Sequence, residues 1–122
     1  KLTNLFIQRM KDAFVPLWLD SSDTNLCILD LSQFPKSADV YQAILECSGI
    51  YVNSCYLPGR SQKTGLRFGF MYLATLNITQ ADFLKLTDIV IEILSSGSPI
   101  DKRHTEMIIQ PYYYKFMEKR YE

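Results

Sequence analysis

The stretch LRFGFMYL (Leu66 to Leu73) limits the folds open to this chain more than any other segment. Its residues alternate, with Leu66, Phe68, Phe70 and Tyr72 on one side and Arg67, Gly69, Met71 and Leu73 on the other. A period of two with one aromatic side describes a strand that meets a core through that side. Arg67 then points away from the core, between Gly65 and Gly69. A core strand with one cation framed by glycines needs explaining.

The rest of the chain supplies partners for such a strand. Residues 2 to 14 place Leu2, Phe6, Met10, Ala13 and Phe14 at helical spacing. VPLWLD follows as a short extended stretch, and Pro16 favours an edge position. Asp20 to Asn25 form a polar turn cluster, and LCILDL (Leu26 to Leu31) has the apolar run of a central strand. Ser37 is placed to cap a helix whose inner face carries Val40, Tyr41, Ile44, Leu45 and Ser48, with Gly49 as its left-handed stop. IYVNSCYL resumes as a strand, and PGRSQKTG (Pro58 to Gly65) reads as the loop leading into LRFGFMYL.

Thr79 opens the helix with the clearest signals. Thr79 and Asp82 approximate a capping box, and Ile78 is placed to staple onto Phe83. Phe83, Leu86, Val90 and Leu94 form its buried stripe, with Thr87 as the polar member. Residues 98–122 read as a charged and aromatic tail, helical on both sides of Pro111, after a domain spanning 1–97. The order predicts an α+β fold: a small, mostly antiparallel sheet with helices packed on one face.

A chain of 122 residues fits one domain with a real core. Thirteen Lys plus Arg against thirteen Asp plus Glu argues against nucleic acid or an anionic membrane as partner. No apolar run is long enough for a transmembrane span. Cys27, Cys47 and Cys55 show no CxxC spacing, which points to buried reduced thiols in a cytoplasmic protein. A start at Lys1 rather than methionine suggests a proteolytic product, an excised piece or one domain of a longer protein.

Few residues offer chemistry. Arg67 beside the gap at Gly69 suits a carboxylate gripped by two parallel hydrogen bonds. A solvated arginine, or one paired with a local aspartate, explains the same spacing. Arg60, Ser61, Lys63 and Thr64 lie in a loop that lacks phosphate-loop spacing and reads more simply as a solvated hairpin connection. Asp20, Asp23, Asp30 and Glu46 form no carboxylate pair that sequence brings together. His104 is the one histidine, so neither a His-rich metal site nor a His-assisted nucleophile is expected. Tyr112, Tyr113, Tyr114 and Phe116 suit either a docking face or packing of the tail on the core. On these grounds the chain is a domain that lends residues to an active site.

Taken in order, Asp30–Leu31, Gly49 to Asn53, Pro58, Gly65 to Gly69 and Gln80 to Asp82 are similar to the C-terminal domain of serine hydroxymethyltransferase. More loosely, they resemble the small domain of other aspartate-aminotransferase-like, fold type I enzymes that use pyridoxal phosphate (PLP). The likeness spans roughly residues 20 to 95. It implies that Arg67 binds the α-carboxylate of an amino-acid substrate, with Asn53 and loop 58–64 near the mouth of the cleft. It also implies that PLP is held mainly by a large domain of the same chain, within a homodimeric parent. This chain by itself is then inert.

The likeness has departures. FMYLATLN follows Gly69 where the family has Thr-Pro-Ala and a Thr-Thr-Arg-Gly turn, Asn25 replaces a histidine, and the loop after Pro58 is shorter. They point to a divergent relative, an aminotransferase or lyase with another substrate. The rival expectation is a non-catalytic α+β interaction or regulatory module that kept the fold.

Overall fold

A computed structural model describes residues 2–19 and 26–120. The turn expected at Asp20 to Asn25 lies outside the described residues. The elements are α1 (Leu2–Asp12), β1 (Leu17–Leu19), β2 (Leu26–Asp30), α2 (Ala38–Cys47), β3 (Asn53–Tyr56), β4 (Lys63–Gly69), α3 (Met71–Thr75), α4 (Gln80–Ser96) and α5 (Lys102–Arg120). The four strands form one sheet in the order β1-β2-β4-β3, and every pairing is antiparallel. β2 and β3 therefore run in the same direction on either side of β4. The expected small antiparallel α+β architecture is observed.

The sheet's core face carries Cys27 and Leu29 of β2 and Leu66 and Phe68 of β4, all buried. Phe6 of α1 packs between Phe68 and Phe70, with ring centroids 4.8 and 4.9 Å away, and Phe83 of α4 meets Phe70 edge-on at 5.5 Å. Full burial of one such side chain contributes about 1.5–3 kcal/mol, so this aromatic cluster fixes where the helices sit. On the surface, Arg9 of α1 donates two hydrogen bonds to the Asp88 carboxylate of α4 and ties the two helices together.

Local signals explain most boundaries. Pro16 precedes β1, which is an edge strand as expected, and its carbonyl accepts the Asp30 amide. Ser37 caps α2 through the Val40 amide, and Gly49 ends it with φ +86°. Thr79 caps α4 by accepting the Asp82 amide, and the Thr87 hydroxyl donates to the Phe83 carbonyl inside the core. The tail is one continuous helix, α5, through Pro111. That position is exposed, so water can take the Met107 carbonyl that proline leaves without a helical donor.

Four expectations need correction. The strand expected to reach Leu73 stops at Gly69, and Met71–Thr75 form a short helix. Phe70 stays in the aromatic cluster while Tyr72, 58% exposed, leaves it. Asn77, at φ +56°, closes α3: its amide bonds the Ala74 carbonyl and that of Ile78 bonds Leu73. Asparagine tolerates this left-handed geometry, and Met, Leu and Ala favour the helix before it.

Phe14 is the second correction, being 91% exposed with φ +61°. It occupies the left-handed stop after α1, where the Val15 amide reaches back to the Met10 carbonyl. Val40 is 44% exposed, because the inner stripe of α2 runs through Ala38, Tyr41, Leu45 and Ser48 at ideal spacing. Finally, β4 begins at Lys63, so part of the expected 58–65 loop belongs to the strand.

Candidate functional site

Asn53 and Arg67 are direct partners in the ladder between β3 and β4. Side chains at paired positions share a face of the sheet. Ser54, the next residue of β3, faces the helices: its amide donates to Gln42 Oε1 and its hydroxyl to Asp39 Oδ1 of α2. Asn53 and Arg67 therefore project from the opposite, open face. On the other side of Arg67, β2 places Ile28 in register, and the next positions of β4 on that face are Gly65 and Gly69.

Both Asn53 and Arg67 are exposed, and the Arg67 side chain forms no hydrogen bond or ion pair with another described residue. The local aspartate on that face, Asp30, pairs in register with Gly65 and accepts the Ser32 amide. The site thus offers a planar cation and a carboxamide side by side, and no carboxylate among the described residues pairs with that cation. Such a pair can bind and orient a carboxylate.

The two glycines differ. A Cβ at Gly69 would meet only Leu26 Cδ2, at 3.6 Å, so the expected gap beside Arg67 is present. A Cβ at Gly65 would lie 2.7 Å from Cys55 Sγ and 2.9 Å from Leu57 Cδ2, so this glycine permits close approach of β3.

Other sequence candidates do not converge here. Lys63 reaches Asp39 of α2 at 3.7 Å and sits 5.7 Å from the centre of the Tyr56 ring. Asp30 and Glu46 are not brought into a pair, and Asp20 and Asp23 lie outside the described residues. His104 is exposed on α5. No group of three or more potential metal ligands occurs among the described residues. None of the three cysteines is in a disulfide among the described residues; only Cys27 is buried, while Cys47 is exposed and Cys55 half-buried. No helix among the described residues is long and apolar enough to cross a membrane.

The aromatic tail divides its roles. The Tyr112 hydroxyl donates to Asp82 Oδ2 and lies 3.1 Å from Thr79 Oγ1, and the Thr79 amide donates to it at 3.4 Å. Tyr112 is thus inserted into the capping box expected between Thr79 and Asp82. This hydrogen bond is the main reason the Asp82 carboxyl is held below its ordinary range. Tyr113 lines a cavity and Tyr114 is exposed.

That cavity, of about 500 Å³, lies on the helix side of the sheet between α5, α4 and residues 49–52. Neither Arg67 nor Asn53 lines it. The stripe Thr105, Ile109, Tyr112 and Phe116, at spacings of three and four, was the signal in the sequence that α5 would lie against the core.

No family model matches the chain. Over 84 residues it is 30% identical to the serine hydroxymethyltransferase of Mycobacterium leprae (strain Br4923), a match covering 66% of this chain and 20% of the relative. The same identity holds over 84 residues for serine hydroxymethyltransferase 1 of Mycobacterium bovis (strain ATCC BAA-935 / AF2122/97) and of Mycobacterium tuberculosis (strain ATCC 25618 / H37Rv). The chain spans about a fifth of the length of these relatives, so the likeness is to part of a larger enzyme.

Proposed function

We propose that this chain is the C-terminal domain of a PLP-dependent, fold type I enzyme acting on amino acids, and that it supplies the substrate-carboxylate clamp. The observation that carries this reading is the Arg67 guanidinium, without a partner among the described residues, set in register beside Asn53 on an open sheet face. Partial likeness to serine hydroxymethyltransferases supports it. In this reading two guanidinium N–H groups grip the substrate carboxylate, the Asn53 amide orients it, and the gap at Gly69 gives it room.

PLP supplies an electron sink for bond changes at the α-carbon. The residues here do not fit as its holders, because no position in register with Arg67 on that face is a lysine. The holding groups are assigned to a large domain of the parent, itself a homodimer. No chemical step is assigned to this chain.

The test uses the full-length parent. Arg67→Ala should weaken amino-acid substrate binding about 10- to 100-fold, the worth of hydrogen bonds to a charged group. Arg67→Lys should restore little, since lysine cannot form the two-pronged contact. PLP absorbance should survive both changes. Unchanged substrate binding in Arg67→Ala would sink the assignment. A non-catalytic module is the second reading, favoured by α3 in place of the family's turn after Gly69. Absence of any PLP-binding lysine from the parent would establish it.

A further inference from the structure

Three neighbouring side chains of α5, Lys102, Thr105 and Glu106, line the 500 Å³ cavity. They stand at i, i+3 and i+4, so they share one helix face. Thr105 is 1% exposed, and its hydroxyl has no hydrogen-bond partner. A buried hydroxyl left unpaired is costly and uncommon, which marks the wall it belongs to as incomplete. Glu106 is half-buried, and neither its side chain nor that of Lys102 forms a hydrogen bond or ion pair with a described residue. This face of α5 therefore brings a cation and a carboxylate to the cavity, neither engaged by a described residue, with Gln110 further along the helix.

The floor is of opposite character. Phe6, Phe70, Phe83 and Leu86 line it, and Tyr51 and Tyr72 stand exposed among the lining residues. The volume falls within the range of about 300–1,000 Å³ typical of small-molecule sites. α5 is fastened at both ends of this space. Thr105 is buried against Gly49, Ile100 donates its amide to Ser48, and Tyr112 bonds Asp82. The helix thus bridges the cavity.

We infer that this cavity binds a free amino acid with a large apolar side chain. Its carboxylate meets Lys102 and its ammonium meets Glu106. The side chain enters the aromatic floor. Both charges and the apolar body are needed, because a zwitterion matches a cation and a carboxylate spaced by one helical turn. The inference is independent of the role proposed for Arg67, which projects from the other face of the sheet.

The test is calorimetric titration of the protein with L-phenylalanine, glycine, 3-phenylpropionate and phenethylamine. Phenylalanine should bind, glycine should not, and each analogue lacking one charge should bind about ten-fold or more weakly. Lys102→Met should weaken phenylalanine about ten-fold and leave phenethylamine unchanged; Glu106→Gln should also weaken phenylalanine about ten-fold but leave phenylpropionate unchanged. The analogue series on the unaltered protein decides the matter even if a variant folds poorly. Three results would each overturn the inference. One is no phenylalanine binding up to about 10 mM, the weak limit of small-ligand affinity. Another is equal affinity for all three aromatic ligands, meaning apolar filling alone. The last is binding lost in Arg67→Ala but kept in Lys102→Met, which assigns the signal to the other face.

Discussion

Gly65 and Gly69 flank Arg67 on one face of β4, yet a methyl group added at each meets different surroundings. At Gly65 it would approach Cys55 Sγ to 2.7 Å, Leu57 Cδ2 to 2.9 Å and the Cys55 carbonyl oxygen to 3.3 Å. The two side-chain atoms can move, but the carbonyl belongs to the paired backbone of β3. Overpacking of this kind costs about 1–3 kcal/mol. At Gly69 the only neighbour is Leu26 Cδ2 at 3.6 Å, an ordinary contact, and alanine should recover about 0.5–1 kcal/mol of strand propensity. Gly65→Ala and Gly69→Ala should therefore differ by roughly 1.5–4 kcal/mol in unfolding free energy. Urea denaturation followed by circular dichroism measures this as a shift in midpoint. Cys55→Ala removes the nearest clashing atom, so the cost of Gly65→Ala should fall by about 0.5 kcal/mol or more in that background. The close-approach account fails if Gly65→Ala is as stable as the parent sequence, or if its cost is the same with and without the Cys55 sulfur.

Two further perturbations test other local arguments. Phe14→Gly should stabilise the protein by about 0.5–1 kcal/mol, because a left-handed non-glycine residue costs about 1–2 kcal/mol and glycine returns part of that in chain entropy. The exposed ring has little packing to lose, and an unchanged or lower urea midpoint would refute this. Tyr112→Phe should lower the melting temperature at neutral pH by removing the hydroxyl between Thr79 and Asp82. Asp82 is depressed in the fold, chiefly by that hydroxyl, so its contribution is present above the unfolded carboxyl pKa of about 3.9 and is lost as pH falls through the lower folded value. The gap between the two proteins should hold from neutral pH to about 5 and narrow below about 4. A gap independent of pH across that window would show that Asp82 is not its source.

The core side of this molecule was legible because it is governed by short-range rules. The stop at Gly49, the caps at Ser37 and Thr79, and the aromatic face of Leu66, Phe68 and Phe70 each follow from a few adjacent residues. What periodicity could not see was the point at which one rule yields to another. Phe70 obeys the strand's alternation, yet the next five residues favour a helix, and packing of Phe70 on Phe6 and Phe83 is satisfied either way. Phe14 fits the apolar spacing of α1, but the need for a left-handed stop before Pro16 turns it outward. At the candidate site, alternation placed Arg67 on the outer face. Pairing with Asn53 depended on the ladder register, which no single segment encodes. The cavity was invisible for the same reason, since its walls come from segments spread between Phe6 and Tyr113.

The strand order carries a consequence for how the chain assembles. β2 and β3 run alongside each other without touching, and the slot between them belongs to β4, which comes later in the sequence. During synthesis, the inner edges of both strands stay open until Gly69 has emerged, with α2 already crossing above. Any β4 segment with the right register fits that slot, including one from a second copy of the chain. In a pair exchanged in that way, each molecule would carry its neighbour's Arg67 beside its own Asn53.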